Sequence, residues 1–228
     1  MTIRAKLYAA IALTILGPLL TTVVALEGQT RLGDSFDEVQ QRADDAALAQ
    51  EIRFDLTDMN GWQTAYGYAG DGRFRREYEV ARDTLDENLT AAEEELTETT
   101  ERQLTSQLRR EFNSFLALDD VAYAALREGD DETVKRLFLG PELVRFEAMA
   151  ETAQRLADYE ADRAAEADAA FDDDRDQARK RLIAVALGAA MVIVLLLVTA
   201  QDVVRLALEG ARNRGNGTED DEDPGGGT

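Results

Sequence analysis

Residues 73–128 read RFRREYEVARDTLDENLTAAEEELTETTERQLTSQLRREFNSFLALDDVAYAALRE, a stretch of 56 residues with neither glycine nor proline. Alanine, leucine, glutamate, glutamine and arginine, which all favour helices, dominate it. Its apolar residues recur every three or four positions, as they do on one face of a helix. They are Phe74, Tyr78, Ala81, Leu85, Leu89, Ala92 and Leu96, then Leu104, Leu108, Phe112, Phe115, Ala122 and Leu126. The stretch therefore predicts an all-α fold.

The flanking sequence has the same pattern. Residues 142–187 also contain neither glycine nor proline, and apolar residues at helical spacing occur on both sides of the central stretch. These are Leu48, Ile52, Leu56 and Met59 before it, and Leu143, Phe146, Met149, Ala153 and Leu156 after it. Glycine and proline cluster at 67–72, at 129 and at 140–141, where they predict turns or breaks.

Two uncharged stretches enclose this helical region, residues 7–26 and residues 182–200. As helices, both are long enough to cross the ~30 Å hydrocarbon core of a bilayer. The alternative for the first is a cleaved signal peptide, although its apolar run exceeds the usual length of such a signal. The alternative for the second is a buried soluble helix, but this segment is apolar on every face. We therefore predict two transmembrane helices.

The distribution of charge predicts the orientation in the cell membrane. Of the formal charge of −21, residues 1–26 carry +2, residues 27–181 carry −19 and residues 182–228 carry −4. Arg4 and Lys6 favour a cytoplasmic N-terminus, and the arginines after residue 200 favour a cytoplasmic C-terminus. The basic residues at 175–181 lie on the opposite side, but long loops translocate largely regardless of charge. Residues 27–181 should then form an extracytoplasmic domain of a two-pass protein.

The number of helices in this domain follows from its two membrane attachments. Because both ends enter the same membrane, the number of long passes is even. One helix over 73–128 would be about 84 Å long and would overshoot a first helix of about 65 Å over 27–69. Residues 97–101, TETTE, have low helix propensity and are the predicted turn. The result is an antiparallel up-down-up-down four-helix bundle over about 27–69, 73–97, 102–128 and 131–181, with a kink at 140–141.

The composition excludes several classes of function. The chain has neither cysteine nor histidine, which excludes thiol nucleophiles, Cys/His zinc sites, Ser-His-Asp triads and disulfides. The acidic excess makes nucleic acid an unsuitable partner. No pair of carboxylates is positioned by the sequence for catalysis. We expect no enzyme activity, no cofactor and no metal.

Three short segments carry a resemblance to a known family. They are LDDVAYAALREGD at 118–130, VKRLFLG at 134–140 and NGWQTAY at 60–66. Together with the predicted architecture, they resemble the four-helix-bundle ligand-binding (sensory) domain of methyl-accepting chemotaxis receptors and related membrane sensors. The resemblance implies an extracytoplasmic sensory module of signal transduction, with its ligand pocket at the membrane-distal end of the bundle.

The sequence after the second apolar stretch departs from that family. Such receptors continue into a HAMP linker and a long cytoplasmic signalling coiled coil, whereas 28 residues follow residue 200. This tail is rich in acidic residues and glycine, so we predict disorder beyond about Arg212. We expect the HAMP and cytoplasmic signalling regions to be lacking and a separate signalling protein to receive the signal.

The candidate ligand site lies at the end of the first bundle helix, about 50–60 Å from its start. Helical spacing places an acid, an amide and two aromatic residues on one face there. The candidate ligand-binding residues are Arg53, Asp55, Asn60, Trp62, Gln63 and Tyr66. In the alternative interpretation, Trp62 and Tyr66 simply close the hydrophobic top of the bundle. Nearby Arg73, Arg75 and Arg76 either attract a carboxylate ligand or are solvated surface arginines.

Small residues recur at four-residue spacing in both apolar stretches, which allows helices to approach closely. They are Gly17, Thr21 and Ala25 in the first stretch and Ala184 and Gly188 in the second. These faces either pack the two membrane helices together or form a homodimer.

The sequence thus predicts a dimeric membrane sensor of chemoreceptor type that passes its ligand state through the membrane helices to a partner. The alternative is a structural or accessory protein whose bundle binds another membrane or envelope protein.

Overall fold

The structure, a computed structural model, describes residues 3–215, and those residues contain helices and turns but no strand. The all-α prediction is confirmed. The elements are α1 (Ile3–Ala69), α2 (Gly72–Glu95), α3 (Thr99–Glu128), α4 (Asp131–Leu137), a π-helical segment (Phe138–Glu142) and α5 (Leu143–Gly215). Of the tail predicted to be disordered, residues up to Gly215 belong to α5, and the remainder lies outside the described residues.

The chain divides into two compact units, and residues 34–172 form the first, here called the bundle. Its cross-helix contacts define an antiparallel order. Position numbers rise along α1 as they fall along α2, and α3 and α5 are related in the same way. The pairs are Asp55–Asn88 and Tyr66–Tyr78 between α1 and α2, and Glu101–Glu160 and Gln107–Thr152 between α3 and α5. Between α1 and α3 they are Arg42–Glu101 and Gln63–Asp119. The bundle therefore has up-down-up-down topology.

The apolar faces predicted from helical spacing meet in one core. Its largest fully buried apolar side chains include Ile52, Leu56, Met59, Leu85, Leu89, Leu108, Phe112, Phe115 and Met149. One prediction is wrong. Leu143 is 43% exposed, and Glu142 occupies the core position instead. Two helical turns are about seven residues, so the core position two turns before the buried Met149 is residue 142 and not 143.

Local backbone chemistry explains the turns. Gly70 and Gly129 adopt positive φ angles of 63° and 77°, which glycine permits at a helix end. The Asp71 side chain accepts from the backbone N–H of Arg73 and caps α2. The chain breaks between α2 and α3 within residues 96–98, in agreement with the predicted turn. There the backbone N–H of Glu98 donates to Glu101 Oε2 at 2.7 Å, as in a capping box.

The predicted kink at Gly140 and Pro141 is confirmed, because Gly140 has non-helical angles (φ −125°, ψ −106°) between the helices on either side of it. The segment places Phe138 against α1. A Cβ added to Gly67 would lie 1.9 Å from Phe138 Cε2, so only glycine fits there without displacing the ring. We call this end of the bundle, with the turns at Gly70 and Gly129, the distal end.

The second unit comprises the described residues up to Gly33 and from Asp173 onward. Its two helical segments approach each other where Gly28 faces Ala178. Its apolar side chains are largely exposed, for example Leu16 at 59% and Met191 at 72%. Among the described residues, one helical stretch, Asp131–Val198, is long and apolar enough to cross a membrane. Several side chains of residues 7–26 lie outside the described residues, and the first predicted span stays a prediction.

The small residues predicted to pack membrane helices occupy different environments. Gly17 and Thr21 are half-buried, and the Thr21 hydroxyl donates to the Gly17 carbonyl at 2.9 Å. Ala25, Ala184 and Gly188 are exposed. Their role in helix packing or dimer formation stays a prediction.

Candidate functional site

Two of the predicted ligand-binding residues, Gln63 and Tyr66, are buried at the distal end and contact Asp119 of α3. Gln63 Nε2 donates to Asp119 Oδ1 at 2.9 Å, and the Tyr66 hydroxyl donates to the same oxygen. The other carboxylate oxygen accepts from Arg75 Nη1 at 2.9 Å. Asp119 is 1% exposed. These donors offset the cost of removing its charge from water.

Arg75 is the cation of this cluster. It pairs with Asp119 and with Glu79, and its guanidinium carbon lies 4.1 Å from the ring centroid of Tyr123 and 4.7 Å from that of Tyr78. Burial is the largest single influence and lowers the pKa of Arg75, but the hydrogen bonds and charges of Asp119, Tyr66 and Glu79 together raise that pKa above its ordinary value. Arg75 is 8% exposed. The interpretation of Arg75 as a solvated surface arginine is therefore wrong.

Tyr66 and Tyr78 are buried with their hydroxyl groups near Asp119. Burial, reinforced by the Asp119 charge, raises the pKa of both phenols. The Tyr78 hydroxyl lies near that charge, but it makes no hydrogen bond to any of the described residues. Both phenols are neutral at physiological pH, so they cannot serve as bases here.

Glu142, the last residue of the π-helical segment, adds a second acid to the cluster. It is 1% exposed, and its Oε2 accepts from Gln63 Nε2 at 2.7 Å. Its Oε1 has no hydrogen-bond partner within residues 3–215. Burial and then the charge of Asp119 raise the pKa of Glu142 to about 8, although the bond from Gln63 lowers it. The carboxyl is mostly protonated at neutral pH, and the Gln63 amide bridges two acids on different helices.

A pocket of about 210 Å³ opens beside this cluster. Two arginines, two tyrosines and the turn between α1 and α2 form its wall. The lining residues are Tyr66, Gly70, Asp71, Gly72, Arg75, Tyr123, Leu126 and Arg127. Its size is below the roughly 300–1,000 Å³ of drug-sized sites, so it suits a small metabolite. Arg75 and the exposed Arg127 offer positive charge to such a molecule.

Two other predicted residues bind neighbouring helices instead of facing this pocket. Asp55 Oδ2 accepts from Asn88 Nδ2 at 2.7 Å, and Arg53 is exposed and donates to Gln154 at 2.9 Å. These contacts join α1 to α2 and to α5. They lie nearer the middle of the bundle than the buried residues Gln63, Tyr66, Arg75, Asp119 and Glu142, here called the distal cluster.

Trp62 and Asn60 lie nearer the cluster but outside it. The Trp62 ring stacks on Phe74 with centroids 6.1 Å apart, and its Nε1 donates to Asp58 at 3.2 Å. Asn60 is half-buried, and its backbone carbonyl accepts from the Thr64 hydroxyl. Of the six candidates, the structure brings only Gln63 and Tyr66 into one buried site.

Sequence reasoning missed Arg75, Asp119 and Glu142 as members of the site. Their partners are 44 to 79 residues away along the chain, beyond the reach of helical spacing. One signal was present. Asp119 stands between Phe115 and Ala122 at a core position of the α3 stripe, where an acid is out of place.

A second acidic cluster could hold a metal ion at the opposite end of the bundle. Asp45, Glu101 and Glu160 are all buried there, and one carboxylate oxygen of each lies within 4.8 Å of the others. The sequence analysis, which expected no metal site, did not identify this cluster.

The fold and the distal cluster define an all-helical sensory-type bundle with a buried polar site at one end. The family described as a four helix bundle sensory module for signal transduction matches residues 1–173. The chain belongs to this family, which confirms the resemblance to the sensory domains of chemotaxis receptors. No curated protein and no solved structure matched the chain.

Proposed function

We propose that the protein is a membrane-anchored sensor whose bundle binds a small carboxylate-bearing molecule in the distal pocket. The observation that carries the proposal is the family match over residues 1–173. The pocket supports it because a carboxylate could pair bidentately with an arginine there. The polar wall and the small volume favour an amino acid or a small organic acid.

The proposed topology has two membrane helices, both termini in the cytoplasm and the bundle outside. The exposed apolar side chains of α5 around Met191 and of α1 around Leu16 support two membrane segments. Arg4 and Lys6 support a cytoplasmic N-terminus. A homodimer and a separate signalling protein complete the proposal as partners.

The distal cluster offers a route from ligand to helix. A carboxylate bound at Arg75 competes with Asp119 for the guanidinium, and Asp119 shares the Gln63 amide with Glu142. The Gln63–Glu142 bond joins α1 directly to the segment that leads into α5. Ligand binding would thereby change the Gln63–Glu142 contact between α1 and the segment before α5, the two helices that carry the apolar segments. A contact that differs between the free and bound states is what a ligand needs to shift a conformational equilibrium.

The test is a thermal-shift screen of the full chain in nonionic detergent against amino acids and organic acids. A ligand that binds only the folded state raises the melting temperature, and the rise grows with the ratio of the ligand concentration to its Kd. Arg127→Gln should weaken the response because Arg127 lines the pocket, whereas Arg110→Gln, an exposed position on the same helix, should not.

The contrary result is the absence of any shift across the panel. Recovery of an envelope or membrane protein by cross-linking to the bundle would then favour the accessory function over ligand sensing. A shift that Arg127→Gln leaves unchanged would place the ligand outside the distal pocket.

A further inference from the structure

Three carboxylates converge at the end of the bundle that holds the turn between α2 and α3. Asp45 of α1, Glu101 of α3 and Glu160 of α5 are 6%, 1% and 0% exposed. One oxygen of each lies within 4.8 Å of the others. Negative charges this close repel one another, and burial adds the cost of lost hydration. The arrangement requires compensation by protons or by a cation.

Glu160 is the member whose charge lacks compensation. Neither of its carboxylate oxygens has a hydrogen-bond partner among the residues described. In contrast, Glu101 accepts from Arg42 Nη1 at 3.2 Å and from the backbone N–H of Glu98 at 2.7 Å. Asp45 Oδ2 lies 3.6 Å from the same Arg42 nitrogen. A fully buried carboxylate that accepts no hydrogen bond and lies close to two other acids is typical of a group that binds a metal ion.

The charged groups around the cluster do not cancel. Two arginines and four acids lie in and around the cluster, and one of the acids, Glu98, pairs with both Arg42 and Arg163. The groups are Arg42 and Asp45 on α1, Glu98 and Glu101 at the start of α3, and Glu160 and Arg163 on α5. They leave a net charge of −2, to which the exposed Glu95 of α2 adds negative potential. One divalent cation would neutralise the six groups.

Three protein carboxylates in one buried site suit calcium better than magnesium. Ca²⁺ takes six to eight oxygen ligands in flexible geometry, whereas Mg²⁺ is usually held by one or two carboxylates and retains several waters. We propose that Asp45, Glu101 and Glu160 form a divalent-cation site of calcium type that ties together α1, α3 and α5. The site is separate from the proposed ligand pocket, since Asp45 and Gln63 are about 27 Å apart along α1.

Proton binding would compete with the cation. Burial and then the charges of Glu101 and Asp45 raise the pKa of Glu160 to about 7, and burial raises that of Asp45. Glu160 therefore carries its full charge only above neutral pH. Calcium affinity should fall as the pH drops below 7, and binding should release protons.

The experiment titrates Ca²⁺ into the metal-free full chain in nonionic detergent by calorimetry, at about 0.15 M salt to screen exposed charges. We expect one site per chain with a Kd of about 10⁻⁴–10⁻³ M, as in extracellular calcium modules. Glu160→Gln should weaken binding by about 10-fold or more, since loss of an outer-shell partner alone costs about 10–100-fold. Glu151→Gln, an exposed position on the same helix, is the matched control and should bind as the unmodified chain does.

Two results would overturn the site: no saturable Ca²⁺ binding by the unmodified chain, or equal affinity after Glu160→Gln. Glutamine has the shape of the protonated acid, so this variant should fold, which circular dichroism checks. Asp45→Asn is the second variant and should weaken binding in the same way. If it binds calcium normally, Asp45 is not a ligand and the proposed set is wrong.

Discussion

Raising the pH should destabilise the bundle through Glu142, and Glu142→Gln should remove this effect. The carboxyl is buried with one oxygen unpaired among the described residues, and its pKa is about 8 in the folded chain against an ordinary value of 4.5. Below pH 4.5 the folded and unfolded chains both hold the proton. Between pH 4.5 and 8 the unfolded chain releases it while the folded chain retains it, so the free energy of unfolding falls.

The size of the effect follows from the difference in pKa. One unit corresponds to about 1.4 kcal/mol, so the full loss between pH 4.5 and 8 is up to about 5 kcal/mol, with about 3 kcal/mol of it reached at pH 7. Glutamine at this position cannot ionise and still accepts the hydrogen bond from Gln63. The variant should therefore match the unmodified chain at pH 4.5 and exceed its stability at pH 8.

Trp62 provides a fluorescence signal for unfolding near Glu142. It is the only tryptophan of the chain, and it stacks on Phe74 close to the distal cluster. Urea unfolding of the full chain in nonionic detergent, followed by Trp62 fluorescence, should give midpoints that diverge between the two proteins as the pH rises. Glu147→Gln, an exposed position on α5, is the control and should track the unmodified chain.

Other titrating groups, including Glu160, contribute equally to both proteins, so only the difference between them reports on Glu142. Parallel pH profiles for the unmodified chain and Glu142→Gln would refute the reasoning. They would mean that water or a local rearrangement solvates the carboxyl in the folded chain.

Three further predictions test the packing, the ion pair and the membrane segment. Gly67→Ala should lower the free energy of unfolding by about 1–3 kcal/mol, because the added methyl overlaps the aromatic ring beside it. Gly61→Ala, with open space around it in the same helix, should raise that free energy by about 0.5–1 kcal/mol, and urea titrations that rank the two variants oppositely would contradict this. Asp119→Leu should cost about 3–5 kcal/mol because Arg75 loses its buried partner and keeps only the exposed Glu79, and adding Arg75→Met should recover most of that loss in urea titrations. Val194→Arg should cost about 2.5–3.5 kcal/mol of membrane insertion, seen as a smaller fraction that resists alkaline extraction, and an unchanged fraction would argue against a span there.

Much of the bundle could be predicted because helical spacing and helix breakers are local signals. The end of α1, both ends of α2 and α3 and the start of α4 lie within three residues of the predicted bounds. Helix lengths and propensity predict the turn near Thr97 although neither glycine nor proline marks it. The error at Leu143 has a local cause as well. Two helical turns before the buried Met149 is residue 142, where the chain has an acid, so a search for apolar residues takes the neighbouring Leu143 instead.

The site could be predicted only in part because its residues come from four separate segments. Gln63 and Tyr66 share a face of α1, which spacing detects. Arg75, Asp119 and Glu142 join them only when α2, α3 and the π-helical segment pack, and no pattern within one helix encodes that meeting. The same limit concealed the cluster of Asp45, Glu101 and Glu160, whose members lie on three helices.

The two polar clusters lie at opposite ends of a core that is otherwise apolar, and both are costly. Each contains a buried glutamate, Glu142 or Glu160, with unpaired oxygens among the described residues and a pKa raised towards neutrality. Replacing buried ion pairs by apolar residues is often neutral or stabilising, so stability alone does not call for these groups. Positions where a sequence departs from the rules of stable packing are where function is expected. This departure supports both proposals, ligand sensing at the Asp119 cluster and cation binding at the Glu160 cluster.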